Sequence, residues 1–283
     1  MKEYINLTKP GIILGNAVTA VGGFFLASKG DVDFILLISM LVGLSLVIAS
    51  ACVLNNVFDR EIDSRMERTK NRAIVTGSIS KPKALIFGII LLLPGLALLF
   101  LHTTYYTLLA ALLAWFVYVA IYTPLKPKTS HATLIGSIAG ASPVVAGYVA
   151  VTNKFDLGAI LLFVILVSWQ MPHFYAIALY RLHEYKAAGI PVLPIVKGLF
   201  TTKLAMTIYI IFFILALSLL TVFNYTGYVY FGIMLLLGLT WLRKSIRGFS
   251  PQIDTTIWAR NMFKFSLMVL LAFSIMISLN PVV

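Results

Sequence analysis

Asn55, Asp59 and Asp63 stand four residues apart at the end of an apolar run, with Arg60, Arg65, Arg68, Lys70 and Arg72 among and just after them. On a helix that spacing holds three oxygen-bearing side chains within roughly 80° of arc and strings them along about 12 Å of one face. Hard oxygen ligands suit Mg²⁺, which binds proteins through one or two carboxylates and completes its shell with water and phosphate oxygens. The guanidinium and ammonium groups supply what a phosphate or diphosphate needs. A solvated loop laced with ion pairs is the usual origin of a charged segment. Here, however, Asn55 and Asn56 abut the apolar run 42–54, where polar groups are costly and commonly functional.

Three further segments carry chemistry-bearing residues. In Tyr122-Thr-Pro-Leu-Lys-Pro-Lys128, the prolines are expected to stop a helix and leave Lys126 and Lys128 at a membrane surface, as lipid anchors or as anion ligands. Ser168-Trp-Gln-Met-Pro-His173 places Gln170, Pro172 and His173 inside an apolar stretch, where Pro172 must free a helical carbonyl. His173 is a candidate for proton transfer, substrate hydrogen bonding or haem-iron ligation, set against a plain interhelical bond. Beyond it, Arg181, His183, Glu184 and Lys186 offer either a second, weaker carboxylate site or a solvated helix end. The stiff apolar loop 187–197, with two prolines and a glycine, is expected to pack over a site. Trp115, Phe116, Tyr118, Tyr122, Phe174 and Tyr175 could wall a pocket for a polyunsaturated tail or belong to core and interfacial belt.

The elements that must position these groups are membrane helices. The 283 residues are 60% hydrophobic and 11% charged, with a mean hydropathy of +0.96, which excludes an ordinary soluble globule. Nine apolar stretches are long enough to span: 12–28, 34–54, 84–101, 105–122, 133–152, 157–179, 204–223, 227–242 and 262–280. The first follows a polar start with two lysines and lacks a small-residue cleavage site, so it is expected to be a retained span. The lone Cys52 excludes an intramolecular disulfide. Gly11 with Gly15, and Gly136 with Gly140, have the spacing that lets membrane helices approach closely.

The net charge of +12 follows this topology. With the N-terminus inside, all of the 22 Lys and Arg residues except Lys29 and Lys154 fall on the inner side. No aromatic-rich soluble basic surface accompanies them, so nucleic acid is not an expected partner. The expectation is one all-α integral-membrane domain, 1–283, with its N-terminus and its charged ladder facing the cytoplasm.

Asn55-Asn-Val-Phe-Asp-Arg-Glu-Ile-Asp63 resembles the first N-x-x-x-D-x-x-x-D motif of UbiA-type intramembrane prenyltransferases. The longer string through Arg72 is similar to the haem-farnesylating branch of that family. So are Leu7-Thr-Lys-Pro-Gly11, Trp169-Gln-Met-Pro-His173 and Ala188-Gly-Ile-Pro-Val-Leu-Pro194. The resemblance covers residues 7–260 and implies a nine-helix bundle. It also implies Mg²⁺ held by Asn55, Asp59 and Asp63, with Arg68, Arg72, Lys126 and Lys128 binding the diphosphate of farnesyl diphosphate. Haem b would be the acceptor, with His173, and second His183, on the haem side. Many members carry a second aspartate-rich motif; this chain offers only His183-Glu184 there, so Glu184 is a further candidate metal ligand. Where the family often shows Lys-Arg, Pro127 follows Lys126 and Lys128 would substitute. The implied setting is a bacterial cytoplasmic membrane or its organelle equivalent, with a haem-copper terminal oxidase or haem A synthase as partner. A quinone-precursor prenyltransferase would share the ladder without needing His173. A small-solute transporter would share the polar groups, but transporters often pair two broken helices, and only one break is expected here.

Overall fold

The computed structural model of the chain describes residues 1–279, 281 and 282. Among them are nine helices long and apolar enough to cross a membrane, matching the nine stretches expected. They are α1 (Pro10–Ser28), α2 (Phe34–Phe58), α3 (Lys81–His102), α4 (Tyr105–Leu125), α5 (Ala132–Thr152), α6 (Leu157–Tyr180), α7 (Gly198–Val222), α8 (Tyr228–Arg247) and α9 (Thr255–Leu279). The expected end of the last span at residue 280 lies outside the described residues. This is a multi-pass membrane protein, and its large apolar side chains point outward as well as inward. Ile86, Ile90 and Leu93 on α3 and Leu236 on α8 are exposed, as lipid-facing positions require.

Helix starts follow local chemistry. Pro10 opens α1, where its missing N–H costs nothing. Asp33 caps α2 by accepting from Ile35 N and Leu36 N, Thr104 caps α4, and Asp156 caps α6. Each helix packs on its neighbours in sequence, and α9 returns to α1, so the bundle closes. The contacts of α1 with α5 and of α6 with α9 draw the ring inward, and α2 also meets α4. The α1–α5 crossing is close because Gly23 lies against the Val144 carbonyl and Gly147 against the Ala20 carbonyl, leaving no room for a Cβ at either glycine. Gly11 and Gly15, expected to make such a contact, have open space around them instead.

One apolar core lies among α5 to α9, around Leu162, Ile165, Phe213, Trp241 and Phe273, and a second among α1 to α5, around Phe24, Met40 and Leu99. Between them is a cavity.

Two prolines act differently from expectation. Pro172 does not break α6, which runs uninterrupted from Leu157 to Tyr180. Pro124 does not stop α4; the helix passes through a π turn at Val117–Tyr122 and ends at Leu125. In that wider turn the Thr123 N–H bonds Tyr118 O, one residue further back than in an α-helix.

Candidate functional site

The ladder is continuous although the helix around it is not uniform. Asn55 lies on the last turn of α2, Asp59 at its end, and Asp63 in the short helix Arg60–Ser64. Asp59 N donates to Asn55 O and Asp63 N to Asp59 O, each at 2.8 Å, so the four-residue repeat carries across the junction. All three side-chain-bearing residues are buried at 2% exposure. Asn56, facing the other way, donates to Leu7 O at 2.8 Å and so anchors the segment that delivers Lys9.

Each ladder residue faces its own cation. Lys9 Nζ donates to Asn55 Oδ1 at 2.6 Å, Lys126 Nζ to Asp59 Oδ2 at 2.6 Å, and Arg72 Nη1 to Asp63 Oδ2 at 2.5 Å. Burial, reinforced by the nearby Arg72 and Lys126 charges, lowers the Lys9 ammonium from its ordinary 10.5 to about 8. The orientation of the Asn55 amide is fixed from the other end, where Nδ2 donates to Thr123 Oγ1 at 3.0 Å and Thr123 donates to Tyr118 O at 2.8 Å. The π turn therefore holds a ladder residue by its amide.

Two buried carboxylates and one amide oxygen fit a hard divalent cation. Among the described residues no three His, Cys, Asp or Glu cluster, so a metal here would complete its shell with water or a ligand's oxygens. The three cationic nitrogens already sit where positive charge is wanted.

Behind the ladder opens a cavity of about 530 Å³, within the range of small-molecule sites. Lys9, Asn55, Asp59, Asp63, Arg72 and Lys126 line its polar end, and Leu44, Ala111 and Ala146 its apolar depth. Trp115, Tyr118, Tyr122 and Phe174 form aromatic wall; Phe116 is exposed outward and Tyr175 belongs to the core instead. Tyr118 and Tyr122 stack with ring centroids 5.2 Å apart, and Tyr122 fits against Gly136. Cys52 is buried, free and on the cavity wall.

His173 borders this cavity from α6. Its ring stacks on Trp169, with centroids 4.8 Å apart, and lies 4.9 Å from the ring of Phe263. His173 Nδ1 bonds Ser266 Oγ of α9 at 2.7 Å, and Trp169 Nε1 donates to Ser266 O at 2.8 Å.

Of the other candidates, Arg68 lines the cavity from an exposed position. Lys128 does not: after Pro127 the chain turns it out to solvent. His183, on the outward face of the short helix Leu182–Ala187, is likewise exposed and away from the cavity. Glu184 is tied to Arg181 at 2.8 Å rather than joined to the ladder, and its Oε2 is buried with no partner among the described residues. The member of that helix lining the cavity is Tyr185, whose hydroxyl pKa is raised by burial. The loop beyond packs Ala188 and Ile190 on Met66, just past the ladder, while Ile190, Pro191 and Val192 line the cavity. Thr123, Tyr185 and Ser266 were not singled out by sequence, and Lys9 entered only within the string Leu7-Thr-Lys-Pro-Gly11, with no role assigned. The signal for Lys9 was that string and its place immediately before the proline that opens an apolar span.

Residues 16–268 match the profile of the UbiA prenyltransferase family. Protoheme IX farnesyltransferase of Yersinia pseudotuberculosis is 45% identical over 281 residues, covering 99% of this chain and 95% of that protein. Protoheme IX farnesyltransferase of Protochlamydia amoebophila is 48% identical over 279 residues, covering 99% and 98%. In fold, the chain superposes on a solved digeranylgeranylglyceryl phosphate synthase with a TM-score of 0.80 at 20% identity, covering 98% of each chain. A UbiA homologue from Archaeoglobus fulgidus, solved bound to GPP and Mg²⁺, superposes with a TM-score of 0.72 at 15% identity, covering 98% of this chain and 99% of that one.

Proposed function

Because the chain belongs to the UbiA prenyltransferase family, we propose that it joins the farnesyl group of farnesyl diphosphate to the 2-vinyl group of protohaem IX, with addition of water and release of diphosphate. The observation that carries this reading is the single cavity running from three buried, cation-paired oxygen ligands, past an aromatic wall, to an apolar depth, with a buried histidine on one side.

Asn55, Asp59 and Asp63 would hold Mg²⁺, which when bound neutralises the diphosphate and makes it a better leaving group. Lys126, Arg72, Arg68 and Lys9 bind the diphosphate oxygens and receive the negative charge that develops as the C1–O bond breaks. Tyr118, Tyr122 and Trp115 present ring faces to the allylic cation. The vinyl carbon attacks C1, the new cation is delocalised into the porphyrin, and water adds there with loss of a proton. No protein nucleophile is needed. His173 holds the haem. Lys128, His183 and Glu184, which do not line the cavity, take no substrate contact in this scheme.

The concentration of basic residues at the ladder's end of the bundle supports a cytoplasm-facing site in a bacterial inner membrane. The chain would act there as one catalytic unit, its product passing to a haem A synthase or a haem-copper terminal oxidase. The test is to supply membranes containing the protein with haem b, farnesyl diphosphate and Mg²⁺ and to weigh the extracted haem. A haem heavier by one farnesyl group and one hydroxyl group, absent with Asp59→Asn, is expected. Unmodified haem from folded protein would overturn the acceptor.

A further inference from the structure

Ser266 of α9 has one hydroxyl proton and two close neighbours. Its Oγ lies 2.6 Å from the carbonyl oxygen of Phe263, which can only accept, and 2.7 Å from His173 Nδ1. The hydroxyl donates to the carbonyl, so its oxygen must accept from the ring, and the proton of the imidazole belongs on Nδ1. Nε2 is left with its lone pair and has no hydrogen-bond partner among the described residues.

The ring has little freedom to escape this assignment. Trp169, one turn earlier on α6, stacks on it at an interplanar angle of 24°, and Phe263 lies against it from α9. Trp169 Nε1 also donates to the backbone carbonyl of Ser266, so the same residue receives two bonds from successive turns of α6. An imidazole clamped on its faces and bonded through Nδ1–H presents a Lewis base, not a donor, to the cavity it borders.

We infer that Ser266 is a positioning residue that fixes His173 in the Nδ1–H form, so that His173 Nε2 ligates the iron of the porphyrin substrate rather than donating to a propionate or to water. This rests on the haem reading of the cavity. It follows the general rule that a metal-bound histidine donates its other ring N–H to an oxygen, and that loss of such a partner weakens the metal bond about 10- to 100-fold.

The test uses the full chain in detergent micelles or nanodiscs, titrated with ferric haem b and read by optical and electron paramagnetic resonance spectra. Wild type is expected to show a histidine-ligated spectrum that is lost in His173→Ala. Ser266→Ala should weaken haem binding about 10- to 100-fold and shift the spectrum, while Ser266→Thr, which keeps the hydroxyl, restores both. Binding of farnesyl diphosphate with Mg²⁺, read separately by calorimetry, should be unchanged in Ser266→Ala, which also reports that the variant is folded. Identical haem spectra in wild type and His173→Ala would overturn the haem reading of this histidine. A His173-dependent spectrum that is the same in Ser266→Ala as in wild type would overturn the role of Ser266 alone.

Discussion

Lys9 reaches Asn55 from a backbone conformation that lysine rarely adopts, with φ 54° and ψ 67°, and places Nζ 2.6 Å from the amide oxygen. The strained residue sits between a short N-terminal helix, tied down by Asn56, and the proline that starts α1. Such strain persists where the surroundings over-determine it and gathers at functional positions.

Lys9→Gln should therefore raise the KM for farnesyl diphosphate about tenfold, the worth of one charge-assisted hydrogen bond, with a smaller change in kcat. Steady-state kinetics at saturating haem b would measure it. An unchanged KM would make Lys9 a spacer for Asn55 and not a diphosphate ligand.

Asp63 has 3% of its side chain exposed and Arg72 is its partner. Removing one member of a buried pair leaves an uncompensated charge, so Arg72→Met should lower stability by about 3 kcal/mol, read as a fall in unfolding temperature in micelles. Arg72→Lys should recover part of that loss. A Met variant as stable as wild type would show that water already reaches Asp63.

Both carboxylates of the ladder are already paired through Oδ2 with cations, so Mg²⁺ alone enters a site whose negative charge Lys126 and Arg72 largely offset. Calorimetry should find weak Mg²⁺ binding that strengthens at least about tenfold when inorganic diphosphate is present, and diphosphate binding should strengthen with Mg²⁺ by the same factor. Strong Mg²⁺ binding to the protein by itself would contradict this coupling.

Eleven residues of α2 separate Asn55 from Leu44, about 16 Å along the helix, comparable to the reach of an extended farnesyl chain. Ala111 and Ala146 line the same cavity, and both are buried. Ala111→Phe or Ala146→Phe should shift the preference toward geranyl diphosphate, measured as a ratio of kcat/KM values, while leaving diphosphate binding intact. An unaltered ratio would mean that the tail leaves the cavity elsewhere.

The number of spans and the ladder were legible in the sequence because both are periodic. A run of apolar residues reads as a span whatever its neighbours do, and a four-residue repeat survives even the change of helix at Asp59. What escaped was set by other segments. Pro172 looked like a break, yet α6 is packed on enough sides to remain helical around it. Gly11 and Gly15 carried the spacing of a helix contact, but nothing lies within reach of a Cβ there, whereas Gly23 and Gly147 make the contact with no second glycine four residues away. Lys128 and His183 had suitable chemistry, and whether a polar residue near a helix end turns inward or outward depends on a single bend. Ser266, 93 residues from His173, meets it only because α9 folds back along α6.

The π turn at Val117–Tyr122 contains one residue more than an α-helix would use over the same length. Everything after it, including Thr123 and Lys126, is thereby rotated by about 100° relative to everything before it. Deleting a single residue there would leave α4 long enough, apolar enough and fully helical, yet would swing the lysine and threonine off the face that meets α2. The turn is a phase adjustment between two ends of one rod: the upstream end is indexed to its apolar neighbours, the downstream end to Asn55 and Asp59.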